Sequence, residues 1–512
     1  YFIKRGSIFQ LKLKDKENEY ILVWTTTPWT LTSNVASAVN PDIIYAKVEK
    51  NGDIFYLSKA TAHVLGDYKL LKEIKGKDLV GLKYEGPYDE LEAQKGVVHK
   101  IVPWKLVGES DGTGIVHIAP GCGAEDCELR KELKLPAIAP LDESGKYIDG
   151  FGWLTGKRVR DVLEPILEDL DNRGILYKKD KITHSYPTCW RCKEELVFRM
   201  TDAWFIRTEK LSKQLIEESK KVKWSPEYGE KLMLDWLNNM HDWNISRKRY
   251  WGLPLPFWVC DCGEFTVVGS VKEMEKLAIS GLDKLKDLHK PQIDNVILKC
   301  PKCGKKMKRT EEVGDCWLDA GIVPYSTLNY MFDKKYWKEW FPAEVISEMR
   351  EQVRLWFYSL LFMSVTLEGK TPYEKVLMFE KVYDEKGEEM HKSGKNVIWF
   401  DDAIEKMGAD TMRWMYLKTV NTQDVLFGYS NAKLVSQKLG YLSEIATYIQ
   451  NSFEGKKTVK ATKVEDKWIL SRLENVKKQV YDNMENLKPF VATSILEDFI
   501  VEDFSRTYIK II

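Results

Sequence analysis

Two stretches of this sequence carry polar side chains of the kinds that bind and test small substrates. In the first, Thr25, Thr26 and Thr27 follow the apolar run 20–23, which predicts a buried strand. Threonine hydroxyls beside an apolar floor suit a pocket that tests a small side chain for size and polarity. In the second, a strand containing His117 ends in Pro and Gly turns, and an acidic pair that includes Asp126 then opens a helix. We expect His117 and Asp126 to lie near one rim of this pocket.

Each part of this pattern also has a structural interpretation. A run of threonines commonly reflects the preference of β-branched residues for strands. A single histidine on a strand is usually structural, and the same holds for isolated cysteines such as Cys122. The sequence alone therefore leaves the function of each separate residue open.

Cysteine spacing indicates metal binding in a reducing cytoplasm rather than disulfides. The chain has 9 cysteines, an odd number, and six lie in close pairs. Two of these pairs, with turn-forming neighbours, predict a structural zinc site: Cys260 with Cys262, and Cys300 with Cys303. The C-x-x-C pair of Cys189 and Cys192 has no second pair near it in the sequence, so it predicts half of a site.

The elements that must position these residues divide the chain into four predicted parts. Residues 1–180 alternate short apolar runs with turn residues and predict a β-rich domain. Residues 181–330 hold the cysteine pairs and connect to residues 331–428, which predict α/β structure with strands at 345–346 and 373–383 and a buried helix at 352–366. From 429 to 512, apolar residues recur at helical spacing and predict a helical bundle.

Length and composition exclude several classes of protein. A chain of 512 residues with 44% hydrophobic residues is too long for one domain and too apolar for global disorder. The net charge is +1, from 78 basic and 77 acidic residues, so any nucleic-acid binding must come from local patches. No apolar stretch approaches the length of a membrane span, and we expect no membrane partner. Both ends of the sequence suggest an internal fragment of a larger protein.

The threonine segment 24–34 and the block 112–126 together resemble the editing domain of isoleucyl-tRNA synthetases. The resemblance implies that His117 and Asp126 hold a misacylated amino acid, with the aspartate pairing to its α-ammonium group. It further implies that the hydroxyls of Thr25 to Thr27 contact the ester and an attacking water, without a serine or cysteine nucleophile. In this family the partners of Cys189 and Cys192 lie on a segment that precedes the editing domain.

Further segments resemble the catalytic domain of the same family. Residues 242–254 resemble its segment that re-enters the catalytic domain, and residues 315–321 resemble its aspartate-aromatic-aspartate-glycine element. By position, Glu348, Glu351, Gln352 and Trp356 would contact the aminoacyl-adenylate. The segment 389–396 resembles the class I signature loop, so Met390, His391, Lys392 and Ser393 would bind ATP, with Lys392 stabilising the leaving pyrophosphate. Glu389 and His391 replace a lysine and a serine of the family pattern, which indicates either altered handling of ATP or an unusual lineage.

The resemblance implies a multidomain α/β fold. A class I nucleotide-binding, Rossmann-like domain is interrupted by a β-rich editing domain and followed by an α-helical anticodon-binding bundle. The implied enzyme is a cytoplasmic, monomeric ligase that joins isoleucine to tRNA(Ile), with ATP and Mg²⁺ as substrate. It contains structural Zn²⁺, and it hydrolyses mischarged valyl-tRNA. The other ATP-binding signature of the class, a His-x-Gly-His loop, is not among these 512 residues. Two alternatives stay open: a valyl- or leucyl-tRNA synthetase, and a synthetase-like RNA-binding paralogue that does not activate an amino acid.

Overall fold

The computed structural model describes residues 2–184, 186–189, 192–249, 251–392, 394–453 and 460–512. The chain divides into two compact units, Tyr1–Asp202 and Ala203–Ile512. Within the described residues, no helix is both long enough and apolar enough to cross a membrane. The division of the chain into four domains stays a prediction.

Unit 1 is built on a mixed sheet of nine strands with two α-helices. The strands are β1 (Phe2–Lys12), β2 (Glu19–Thr25), β3 (Ala36–Val39), β4 (Ile44–Lys50), β5 (Asp53–Ser58), β6 (Lys69–Lys75), β7 (Ile101–Pro103), β8 (Val116–Ile118) and β9 (Leu176–His184). The helices are α1 (Ala124–Leu133) and α2 (Leu163–Asn172). Seven strands follow the order β6-β4-β5-β2-β8-β3-β7, while β1 pairs with both β2 and β9. The β-rich fold predicted for residues 1–180 is confirmed.

Strand β2 lies inside the sheet and is buried on both faces, which explains its continuous apolar sequence. Ile21 and Val23 pack into one hydrophobic cluster of the unit, whereas Leu22 packs into another on the opposite face. All three side chains have no exposed surface. The buried strand predicted before the threonines is therefore confirmed, and it fixes the position at which the polar segment begins.

Unit 2 contains short sheets and most of the helices. Its strands are β10 (Phe205–Ile206), β11 (Lys223–Ser225), β12 (Trp243–Asn244), β13 (Ser246–Arg247), β14 (Phe257–Val259), β15 (Phe265–Val267), β16 (Ala278–Ser280), β17 (Ile297–Lys299), β18 (Lys306–Arg309), β19 (Val313–Gly314), β20 (Ala343–Met349), β21 (Tyr373–Phe379), β22 (Val382–Asp384) and β23 (Val425–Phe427). Its helices are α3 (Ser212–Ser219), α4 (Tyr228–Asn239), α5 (Val271–Leu277), α6 (Cys316–Gly321), α7 (Val323–Ser326), α8 (Lys334–Trp340), α9 (Trp356–Glu368), α10 (Phe400–Met407), α11 (Ala409–Lys418), α12 (Tyr429–Phe453), α13 (Val464–Glu485), α14 (Pro489–Asp498) and α15 (Ile509–Ile511), with a π-helical segment at Phe499–Tyr508.

Three parts of unit 2 carry the predicted functional residues. A parallel sheet of order β11-β21-β20 packs against the buried helix α9, as expected for an α/β domain. A separate sheet of order β15-β14-β18-β17-β16 carries the four-cysteine set. Within the described residues, the chain from Tyr429 onward is mainly helical, as predicted, and its α13, α14 and π-helical segments share one apolar cluster.

Two element boundaries differ from the sequence prediction. The helix predicted from Gln352 begins at Trp356, because residues 350–354 form a short 3-10 helix whose Gln352 side chain accepts a hydrogen bond from the first turn of α9. The strand predicted over 373–383 ends at Phe379. Strand β22 then pairs in parallel with β23, in a different sheet.

Candidate functional site

The threonine segment forms a tight turn at the end of β2. The backbone N–H of Thr27 donates a hydrogen bond to Thr25 Oγ1 at 3.1 Å, and the hydroxyls of these two residues are 3.3 Å apart. A 3-10 helix, Pro28–Ser33, begins directly after Thr27, and Pro28 favours that start because its fixed φ suits the first turn. Thr26, in the middle of the turn, is half-buried. The predicted threonines are thus held together by their own local hydrogen bonds.

His117 contacts this turn through Thr30. The hydroxyl of Thr30 lies 2.8 Å from His117 Nε2 and 2.8 Å from the carbonyl oxygen of Thr27, to which it donates. His117 is 7% exposed, and within the described residues its Nδ1 has no hydrogen-bond partner. Burial lowers the pKa of His117 to about 4, because the charged imidazolium would lose its hydration. The ring is therefore neutral at physiological pH, where it can exchange a hydrogen bond but carries no charge.

Asp126 lies in the first turn of α1, and a backbone hydrogen bond holds its carboxylate near β8. The N–H of Ala119, two residues beyond His117, donates to Asp126 Oδ2 at 2.7 Å. Burial raises the pKa of Asp126 to about 6, and the neighbouring charge of Glu125 adds to that shift, while the bond from Ala119 opposes it. Because burial makes ionisation of the Asp126 carboxyl group unfavourable, a cationic partner would strongly stabilise its charged form.

The turn between β8 and α1 depends on glycine at position 121. A Cβ atom there would lie 1.9 Å from the carbonyl oxygen of Ile138, a backbone atom that cannot move aside cheaply. The next residue, Cys122, is buried, and burial raises the pKa of its thiol to about 12. A thiol held in its protonated form is a poor nucleophile. The expectation that Cys122 takes no catalytic part agrees with this environment.

The structure therefore brings Thr25, Thr27 and His117 together through Thr30, with Asp126 attached to the same strand end. Thr30 was predicted only as one residue of the segment 24–34, although it makes the direct contact with His117. The sequence carried a signal for the contact of Thr30 with Thr27, because the two are three residues apart and Pro28 predicts a helical turn between them. It carried none for the contact of Thr30 with His117.

The four residues expected at an aminoacyl-adenylate lie around the C-terminal end of β20 and the start of α9. Glu348 Oε2 accepts a hydrogen bond from the N–H of Met349 at 3.0 Å. Gln352 Oε1 accepts from the N–H of Trp356 at 3.1 Å, and the Trp356 indole donates to the carbonyl of Ala320 at 3.0 Å. Gln352 and Trp356 are thus engaged in positioning α9. Among the described residues, the buried Oε2 of Glu351 has no hydrogen-bond partner.

The loop expected to bind ATP is fixed at its base by charged side chains. Glu389 forms an ion pair with Lys381 Nζ at 3.4 Å and lies 3.2 Å from His391 Nε2. Asn396 Nδ2 donates to Asp384 Oδ2 at 2.9 Å, and that hydrogen bond, together with two backbone N–H groups, holds the pKa of Asp384 below its usual range. Met390 is half-buried, Lys392 is exposed, and Ser393 lies outside the described residues.

The four cysteines of the second set meet at one point. Their sulfur atoms all lie within 4.8 Å of one another, with Cys260 Sγ 3.5 Å from Cys303 Sγ and Cys262 Sγ 3.8 Å from Cys300 Sγ. Four thiolates at about 2.3 Å from a tetrahedral zinc ion are about 3.8 Å apart, and bonded disulfide sulfurs would be about 2.05 Å apart. The donor set therefore fits a tetrahedral metal ion and leaves no open position for a substrate.

Cys189 and Cys192 lie in unit 1, apart from the four-cysteine set. The N–H of Lys193 donates a hydrogen bond to the carbonyl of Cys189 at 2.8 Å. Within the described part of the chain, these two cysteines belong to no group of three metal-binding side chains. They remain a predicted half-site.

Comparisons with known proteins give matches over nearly the whole chain. The family profile for tRNA synthetases class I (I, L, M and V) matches residues 11–428, and the profile for the anticodon-binding domain of tRNA ligase matches residues 466–512. Isoleucine–tRNA ligases of Methanothermobacter marburgensis, Saccharolobus solfataricus and Clostridium tetani are 38%, 37% and 39% identical over 100%, 98% and 99% of this chain. This chain spans 50%, 53% and 50% of those relatives, or about half of their length.

Among solved structures, a complex of an Agrobacterium radiobacter LeuRS with tRNA and LeuAMS matches 98% of this chain and 57% of that chain. The sequence identity is 16% and the TM-score is 0.43, a likeness too weak to carry an argument. The two matching profiles are therefore the basis for assigning the fold: a class I catalytic domain with an inserted β-rich unit, followed by helices of the anticodon-binding type.

Proposed function

Because the chain belongs to the class I tRNA synthetases of the isoleucine, leucine, methionine and valine group, we propose that it supplies the editing and part of the aminoacylation activity of an isoleucine–tRNA ligase. The relatives with that name, at 37–39% identity over nearly the whole chain, support this specificity over the valine and leucine alternatives. The substrates would be isoleucine, tRNA(Ile) and ATP with Mg²⁺. We further propose that the protein works in the cytoplasm as a monomer.

The contact of Thr30 with His117 is the observation that carries the editing proposal, since it joins the two polar stretches of unit 1 into one site. Editing is useful because valine lacks only one methylene of isoleucine, and a binding pocket discriminates weakly against a smaller substrate. For isoleucyl-tRNA synthetases as a family the discrimination is about 150-fold, a value already established for them rather than predicted from this structure. A second site that admits the smaller amino acid would remove valine after its transfer to tRNA.

In the proposed reaction, the ionised Asp126 pairs with the α-ammonium of the mischarged amino acid and so fixes its orientation. The hydroxyls of Thr25 and Thr27 hold the ester and a water molecule. The oxygen of that water bonds to the ester carbonyl carbon, the bond to the terminal ribose oxygen breaks, and a proton from the water ends on that ribose oxygen. Neutral His117 holds Thr30 and the turn in place without adding a charge that would repel the ammonium group.

Unit 2 would contribute to activation and to structural stability. The exposed Lys392 would stabilise the negative charge of the leaving pyrophosphate. Glu351 Oε2, which has no hydrogen-bond partner among the described residues, offers an acceptor at the end of β20. Zinc, held by the four cysteines of the second set, would stabilise its module by cross-linking it and would take no part in the reaction.

A deacylation assay with valyl-tRNA(Ile) tests the editing proposal. We expect the chain to release valine faster than the uncatalysed rate, and the D126A variant to lose at least about a hundredfold in kcat/KM because the ammonium contact is gone. The matched control is D149A, which removes an exposed carboxylate elsewhere in unit 1. Equal rates for D126A and the wild-type chain would contradict the assigned function of Asp126.

The paralogue that does not activate an amino acid remains a second candidate, and one observation favours it. Glu389 and His391, which occupy positions of a lysine and a serine in the signature loop, pair with each other rather than presenting added positive charge to a phosphate. The two candidates differ in ATP binding, which the paralogue would have lost while it kept its affinity for tRNA.

A further inference from the structure

We propose that the outer face of the four-cysteine module, formed by β15, β14, β18 and β17, is an RNA-binding surface whose lysines contact the phosphate backbone of tRNA. The proposal rests on the proposed tRNA-handling function and adds to it a contact that involves neither the editing pocket nor the signature loop. It depends on three lysines and one exposed aromatic ring.

Three exposed lysines lie together on one face of this sheet. Lys299 of β17 is directly opposite Lys306 of β18 in the antiparallel register, and Lys308 follows two residues later on the same face. The opposite face is occupied by the buried pair Leu298 and Met307. Like charges directly opposite each other destabilise a sheet, so this arrangement raises the free energy of the isolated module. A polyanion bound to the face would reverse that cost.

No acidic residue lies between positions 296 and 310, while the same interval contains six basic residues. Of these, the buried Arg309 is paired with Asp294, and Lys302 lies 3.7 Å from Glu264. Within the part of the chain that the structure describes, Lys299, Lys306 and Lys308 have no carboxylate at ion-pair distance. Their charges are therefore available to phosphate groups.

The lysines continue into an apolar and aromatic row across the neighbouring strands. Lys308 is opposite Val259 of β14, and Val259 is opposite Phe265 of β15. Phe265 is 50% exposed, although one side of its ring packs against Trp204 at a centroid distance of 5.3 Å. Neighbouring strands are about 4.8 Å apart, so the ring lies about 10 Å from the lysine row. An unpaired base could stack on Phe265 while its backbone reaches the lysines.

Neutralisation of the metal site does not account for this surface. A zinc ion with four thiolates would carry a net charge of −2, and Lys302 and Lys305 lie closer in sequence to these thiolates than Lys306 and Lys308 do. Lys299, Lys306 and Lys308 of the sheet face add further positive charge to that of Lys302 and Lys305. Lys306 and Lys308 flank the buried Met307, which places both side chains on the solvent face of the sheet.

Binding of tRNA(Ile), and of an unstructured RNA of equal length, at a series of salt concentrations tests the proposal. The test variant is K299Q/K306Q/K308Q. Each lost phosphate contact lowers the slope of log K against log salt by about 0.7 to 0.9, so we expect the slope to fall by about 2. The control variant, K272Q/K276Q/K284Q, removes three exposed lysines of the same module that are adjacent in sequence to Glu273, Glu275 and Asp283. We expect it to keep the wild-type slope.

Two further measurements separate the alternatives. Zinc content must be equal in the wild-type chain, the test variant and the control variant. A lower metal affinity of the test variant with an unchanged RNA slope would mean that the lysines stabilise the thiolates, and would overturn the proposal. F265A should weaken binding of the unstructured RNA severalfold without changing the salt slope. An unchanged affinity of F265A would show that no base stacks on Phe265.

Deacylation of valyl-tRNA(Ile) by the same proteins distinguishes this inference from the proposed function. Normal deacylation with equal RNA slopes for the wild-type chain and the test variant would overturn the RNA-binding surface alone. A reduced slope in a protein that never deacylates the substrate would overturn the editing function and leave the surface standing.

Discussion

The hydroxyl of Thr30 and the Nε2 atom of His117 lie 2.8 Å apart although 87 positions separate them in the chain. This bond joins the turn after β2 to strand β8, and both residues are buried. Because burial keeps the histidine neutral, the bond is a contact between two uncharged groups in an apolar setting. Removing one partner of such a bond is unfavourable, since the remaining buried group cannot form a hydrogen bond with water instead.

Replacing Thr30 with valine should therefore destabilise unit 1 and weaken editing. Valine keeps the shape of threonine but leaves His117 Nε2 buried without its partner, which we expect to lower the free energy of unfolding by about 1–3 kcal/mol. Chemical denaturation monitored by tryptophan fluorescence measures the change. T30S, which keeps the hydroxyl, is the control and should lose clearly less. Equal stability of T30V and the wild-type chain would show that the contact is not maintained in solution.

Editing should depend on pH through Asp126. Its pKa is raised to about 6, so the carboxylate becomes protonated below that pH and can no longer pair with the substrate ammonium. We expect kcat/KM for valyl-tRNA deacylation to approach its maximum near pH 7 and to fall about fivefold between pH 6 and pH 5. D126N should be slow at every pH and should lack this inflection. A D126N profile with the wild-type inflection would assign the titration to another group.

How much of this site the sequence could predict depends on how local each feature is. The buried strand before Thr25 and the four-cysteine set were predictable, because an apolar run and close cysteine pairs are local signals. The partner of His117 was not identified, since a contact over such a separation follows from sheet order rather than from spacing. Likewise, the predicted start of α9 was wrong. Gln352 lies in the 3-10 helix before α9, and its side chain accepts a hydrogen bond from the first residue of α9.

The four-cysteine set should hold one metal ion per chain. C262S removes one of four thiolates that lie within 4.8 Å of one another, so we expect the variant to lose this ion and the module to unfold at a lower temperature. Metal analysis of the purified protein and thermal denaturation measure both effects. C127S, which changes a half-buried cysteine in α1, is the control and should keep the ion. Wild-type protein without zinc or another tetrahedral metal would overturn the assignment.

The contact of Glu389 with His391 should weaken the binding of ATP. Glu389 places a carboxylate near the loop that carries Lys392, and it also engages Lys381. In E389K/H391S the loop gains positive charge and a hydroxyl, so its electrostatic attraction for triphosphate rises. We expect the affinity of the chain for ATP with Mg²⁺ to increase severalfold in equilibrium binding, and K392Q to lower it. An equal or lower affinity of E389K/H391S would show that Glu389 and His391 do not limit ATP binding, and would leave the paralogue without its supporting observation.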